Sequence, residues 1–102
     1  MTRILLVSRD VPWGLELASR WAADGTVHAV LMAGAAAVAR HGHPDAAVVS
    51  RALAAGVLVS VHDEAAGRRG LASADLVDGV KTIDLDETAD LIGDTDGGVM
   101  WL

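Results

Sequence analysis

The sequence predicts an α/β fold, a three-layer α/β/α domain around a mainly parallel, five-stranded sheet. Three observations carry that expectation. Short, nearly continuous apolar runs such as RILLVS (Arg3–Ser8) have the character of strands buried on both faces. These runs alternate five times with segments of helical periodicity, across connections of only a few residues. The apolar complement is aliphatic: 52% of residues are hydrophobic but 3% aromatic, with Trp13, Trp21 and Trp101 and neither Phe nor Tyr. A core of Val, Leu, Ile and Ala lets layers approach closely. At 102 residues the chain is expected to form one domain, 1–102, large enough to bury a core without staples.

RILLVS is the first strand. In RDVPWGLELASRWAADG, Asp10 is placed to cap a helix, Pro12 falls in the first turn where proline is tolerated, Leu15, Leu17 and Trp21 recur at roughly helical spacing, and Gly25 ends the segment. TVHAVLM (Thr26–Met32) is a second strand. GAAAVAR (Gly34–Arg40) reads as a short helix closed by the break HGHPD. Pro44 and Asp45 open a further helix that stops at Gly56. VLVSV forms the third strand and DEAAGRRG a turn or short helix. A short fourth strand lies around VKTID, Asp84 or Asp86 caps LDETADLIGD, and GVMWL supplies the fifth strand.

Charge and composition exclude several classes of function. Eight basic residues stand against fourteen acidic ones, for a net charge of −6. Such a chain repels phosphate backbones, so direct nucleic-acid binding is not expected. Mean hydropathy is high, +0.38, yet no run of about 18 apolar residues suggests a membrane span. The surplus apolar surface instead suggests a subunit interface, and hence an oligomer. MTRILLVSRD is too soon interrupted for a signal peptide, which leaves the cytoplasm as the expected compartment. There is no cysteine, so disulfides, thiolate metal sites and cysteine nucleophiles are excluded.

In parallel α/β sheets, ligands collect beyond the carboxyl ends of the strands. That rule selects Ser8, Arg9 and Asp10 after strand one, Ala33 and Gly34 after strand two, His62, Asp63 and Glu64 after strand three, and Asp84 after strand four. An imidazole at His62 can act as acid or base, with Asp63 or Glu64 to orient it. The simpler reading makes His62 a helix-entry residue and Asp63 an N-cap. Neither a dinucleotide-type nor a P-loop glycine pattern occurs. A triad drawn from Ser8 or Ser60 with His62 lacks a nucleophile elbow. His41, His43 and Asp45 offer metal-ligand atoms, but in a helix-to-helix loop where a solvated turn is the simpler reading, so no metal or cofactor is expected. Arg68 and Arg69 form the one adjacent basic pair, suited to a carboxylate or phosphate or to nearby acids.

Taken in order, VPWGLELASRWA, AVLMAGAAAVA, VHDEAAGRRGL, LVDGVKTIDLDETADLI and the final VMWL resemble the DsrE/DsrF/DsrH (Tus) sulfur-relay family. The likeness runs essentially end to end, is strongest in RRGL and the ending, and lies nearest the DsrH/TusB branch. It implies persulfide chemistry, in which a cysteine accepts sulfane sulfur and passes it on. In the DsrE/TusD-like branch that cysteine ends strand three, six residues before an Arg-Arg-Gly. Counting back six from Arg68 reaches His62. Some DsrH chains carry a cysteine in the first helix, a register that falls near Ala18, and the family's Asp-Gly after strand two reads Ala33-Gly34 here. Imidazole cannot hold a persulfide. The resemblance therefore implies a non-catalytic, DsrH/TusB-like subunit that packs with cysteine-bearing DsrE/TusD-like and DsrF/TusC-like chains, in a pathway such as tRNA wobble-uridine thiolation. Trp13 and Trp101 are the candidate interface anchors, set against ordinary half-buried core tryptophans. Two other classes remain: a stand-alone small-molecule or anion-binding protein using Arg9, His62 and the strand-end pocket, and an enzyme with His62 as general base.

Overall fold

Five strands form one parallel sheet, β1 (Thr2–Val7), β2 (Thr26–Leu31), β3 (Leu58–His62), β4 (Lys81–Ile83) and β5 (Val99–Trp101), in the spatial order β4-β3-β2-β1-β5. The helices are α1 (Val11–Trp21), α2 (Ala46–Ala54), α3 (Asp63–Arg68) and α4 (Leu85–Asp94). All 102 residues are described in this computed structural model.

Strand order decides where the helices lie. From β1 to β4 the chain adds strands in one direction, so right-handed crossovers place every connection on the same face. The last connection returns from one edge of the sheet to the other, and α4 therefore crosses the opposite face. The core divides accordingly. A cluster of 21 buried residues includes Leu5 and Val7 of β1, Ala29 and Leu31 of β2, Val59 and Val61 of β3, Leu15 and Ala18 of α1, Val49 of α2 and Ala65 of α3. On the other face only Ile4, Leu6, Val30 and Ile83 are buried together, with Met32 and Leu91 packed against them. One ten-residue helix cannot cover five strands. Three layers form, but the second face is thinly clad.

The edges differ in character. β4 presents Lys81 and Thr82 to solvent, a polar edge of the kind that resists strand addition. β5 pairs only with β1 and leaves Val99, Met100 and Trp101 exposed. Its approach to β1 is fixed by the preceding turn: Gly97 N–H donates to the Thr2 carbonyl at 2.7 Å and Thr2 N–H to Asp96 Oδ1 at 2.6 Å. A Cβ at Gly97 would lie 2.5 Å from the Thr2 oxygen, so the close approach needs glycine.

Several local expectations are met and others corrected. Asp84 closes a reciprocal capping box, accepting the Glu87 N–H at 2.7 Å while Glu87 Oε1 accepts the Asp84 N–H at 3.1 Å. Asp84→Ala should lower the unfolding free energy by about 1 kcal/mol, read as a lower urea midpoint at unchanged slope. Asp10, by contrast, makes no side-chain cap: it stands at φ 51°, ψ 53°, a left-handed conformation in place of the extended one that a capping residue normally takes. The alanine-rich segment expected as a helix over 34–40 is a 3-10 helix over Ala33–Ala39, its small side chains tucked against α3 and β3. β2 ends at Leu31, one residue short of the expected strand.

His28 on β2 is half-buried, and desolvation, followed by the charge of Lys81, lowers its pKa below 6.5. A histidine whose folded pKa is depressed contributes stability that is complete above its unfolded pKa and is lost as pH falls through the folded value. Unfolding free energy should therefore decline from about pH 6.5 downward, and His28→Gln should flatten that part of the profile. An unaltered slope in the variant would contradict the assignment.

Candidate functional site

The carboxyl ends of β2 and β3 build the site. β3 is buried from Val59 to Val61, and its last residue, His62, turns the chain into α3. His62 itself is the N-cap residue, at φ −63°, ψ 124°, without a side-chain capping bond. The expected cap at Asp63 is displaced by one residue: Asp63 opens the helix, and its Oδ1 accepts the Glu64 N–H at 2.6 Å. Neither Asp63 nor Glu64 orients the imidazole. Glu64 pairs with Arg68 across one helical turn at 2.5 Å, and Arg69 Nη1 donates to the Ala65 carbonyl at 3.0 Å. His62 Nε2 is buried with no hydrogen-bond partner, which is costly for a polar ring atom unless something outside the chain completes it.

Around it lies an open cleft of about 520 Å³ lined by Ala33, His62, Glu64, Ala65, Arg68 and Arg69. Gly34 borders it, since a Cβ there would sit 3.9 Å from Arg69 Nη2. Ala33 adopts φ 51°, a left-handed conformation that costs an alanine about 1–2 kcal/mol. The chain's two non-glycine residues with positive φ, Asp10 and Ala33, both follow the carboxyl ends of strands, where such strain clusters around function. Ala33→Gly should relieve part of it and raise stability by about 0.5–1 kcal/mol, seen as a higher urea midpoint. A lowered midpoint would show that Ala33 is not strained.

The residues singled out from sequence thus divide into two groups. Gly34, His62, Arg68 and Arg69 come together at the cleft, with Asp63 at the head of α3 beside it. Arg9, Asp10, Trp13 and Trp101 do not line it. Trp101 is on β5, where its indole Nε1 donates to Ser8 Oγ at 3.4 Å, and Ser8 Oγ in turn donates to the Leu102 carbonyl at 2.7 Å. That engagement, with no bond to His62, dissolves the Ser8 triad. Trp13 and Trp101 are 54% and 66% exposed, so neither is a half-buried core residue. No group of three metal-ligating side chains assembles anywhere. In the HGHPD turn His43 Nδ1 instead accepts the Asp45 N–H at 3.0 Å, and His41 stands 3.7 Å from Asp78. No helix is long and apolar enough to cross a membrane.

The chain is an all-parallel α/β domain with an open cleft at the ends of β2 and β3 and an exposed apolar edge at β5. Among solved structures it is similar in fold to the YchN protein from E. coli, with a TM-score of 0.82 and 22% identity over 100% of both chains. It is also similar to MTH1491, a protein of unknown function from Methanobacterium thermoautotrophicum, with a TM-score of 0.81 and 16% identity over 99% of this chain and 98% of that one. No protein-family model matches the sequence, and no curated protein matches it.

Proposed function

We propose that this chain is a non-catalytic, DsrH/TusB-like subunit of a sulfur-relay complex, supplying contact surface while a cysteine-bearing partner carries the sulfur. The observation that carries the reading is the cleft at the end of β3. It has the Arg-Arg-Gly frame of a persulfide loop, with imidazole at position 62 where the chemistry needs a thiolate. Sulfane transfer proceeds by thiolate attack on the outer sulfur of a persulfide, which leaves a thiolate behind. A chain without cysteine has no atom for that step. The apolar β5 edge and the thinly covered second face support the role of an assembly partner. The family likeness points to tRNA wobble-uridine thiolation as the process served. Co-expression with cysteine-bearing DsrE/TusD-like and DsrF/TusC-like chains from the same genome tests it: one hetero-oligomeric peak is expected on size exclusion. Separate elution of all three would overturn the reading.

One observation favours a second reading, an anion-binding protein. The unpartnered His62 Nε2 and the guanidiniums of Arg68 and Arg69 line the same cleft. Thermal denaturation with added phosphate or sulfate tests it. A rise in midpoint that Arg69→Gln removes supports an anion site, and no rise argues against it.

A further inference from the structure

A second cleft, of about 400 Å³, opens between α4 and the thinly covered face of the sheet, and His62 does not line it. Its floor is apolar, with Leu58 and Ile83 from the strands and Leu91 from the helix. Glu87, Asp90, Leu91 and Asp94 all line it, a spacing that puts them on one helical face turned towards the sheet. The strands answer those three carboxylates with one ammonium, Lys81, and no ion pair forms between them within 4.0 Å. Glu87 gives one oxygen to the capping box, which leaves Asp90 and Asp94 uncommitted. His28, also in the wall, has its pKa lowered by burial and then by the charge of Lys81.

Ser60 points independently to a ligand. It lies mid-strand on β3, only 3% exposed, and lines this cleft. Its hydroxyl makes no hydrogen bond to another group of the protein. The hydroxyl is not sealed inside the sheet but opens onto the cleft, free to bond what occupies it, whereas the Thr88 hydroxyl donates to the Asp84 carbonyl at 2.8 Å. An apolar floor, a few convergent polar groups and a volume in the range of small-ligand sites are the usual makings of a binding pocket.

We propose that this cleft binds a small organic cation, an amine or guanidine carried on an apolar body. The body would cover Leu58, Ile83 and Leu91, the charged head would face Asp90 and Asp94, and the Ser60 hydroxyl would accept or donate a hydrogen bond at the cleft floor. The excess of carboxylates over Lys81 selects the sign of the ligand, and the apolar floor demands more than a bare metal ion or ammonium.

Isotope-edited NMR titration of the intact chain tests this with three matched probes: 2-phenylethylamine, 2-phenylethanol and 3-phenylpropanoate. The amine should give saturable shifts at Ser60, Lys81 and Asp90, the alcohol should bind about tenfold more weakly, and the propanoate should give no saturable shifts. The Asp90→Asn, Asp94→Asn double variant alters only exposed positions and should weaken the amine about fivefold. Ser60→Ala should weaken it several-fold. Failure of the amine to saturate, equal or tighter binding of propanoate, or unchanged affinity in the double variant would each overturn the proposal. None of these outcomes depends on the sulfur-relay reading.

Discussion

His62→Cys should convert a chain that holds no sulfane sulfur into one that takes up a single atom per molecule. The substitution places a thiol at the end of β3, beside the guanidiniums of Arg68 and Arg69. Nearby cations lower a thiol pKa below about 8.5 and so raise the thiolate fraction at neutral pH. The step balances: the variant thiolate attacks the outer sulfur of a low-molecular-weight persulfide, the donor S–S bond breaks, and the donor leaves as a thiolate. Cysteine is smaller than histidine, so it fits without repacking and removes the orphaned Nε2. Intact-mass spectrometry after exposure to the donor should show the added sulfur on H62C and none on the wild type. The control is Ala47→Cys, an exposed position on α2. If A47C loads as readily as H62C, the cleft has no special competence and the register argument fails.

Trp101→Asp should abolish assembly with cysteine-bearing partners while leaving the isolated chain folded. The indole is mostly exposed, and its one polar contact is the long bond to Ser8. Little native packing is lost with it, and the change in unfolding free energy should stay within about 1 kcal/mol. At an interface the same residue would be buried at the centre of an apolar strand edge with Val99 and Met100. A tryptophan anchor of that kind is worth about 2 kcal/mol or more, roughly thirtyfold in affinity, and an aspartate there adds the cost of an unpaired buried charge. Co-elution should be lost while the urea midpoint of the isolated chain moves by no more than that change of about 1 kcal/mol allows. Undiminished assembly of W101D would place the interface elsewhere.

Much of the architecture was legible because residue type and position agreed. The continuous apolar runs of β1 and β3 are what double-sided burial requires, and the Asp84-to-Glu87 spacing announces its capping box. What stayed hidden depends on strand order. Nothing in the run VMWL says that β5 lies beside β1 rather than beyond β4, and that placement decides which face α4 crosses and how much apolar surface remains bare. Local conformation was missed where one residue type serves two states: Asp10 suits a cap or a left-handed turn, and Ala33–Ala39 suits either helix type. The His62 cleft was anticipated from the strand-end rule. The α4 cleft was not, because His28, Ser60 and Lys81 carry no motif and meet only across three strands. Its one sequence signal was the recurrence of acids along a single face of α4.

The central claim is that this chain serves sulfur transfer without carrying sulfur. The most direct measurement incubates the purified wild-type chain, by itself and then with a persulfide-loaded cysteine-bearing partner, using radiolabelled sulfane. Label found only on the partner, in a complex that contains both chains, is the expected result. Label bound to the wild-type chain and passed by it alone to a thiol acceptor would contradict the account.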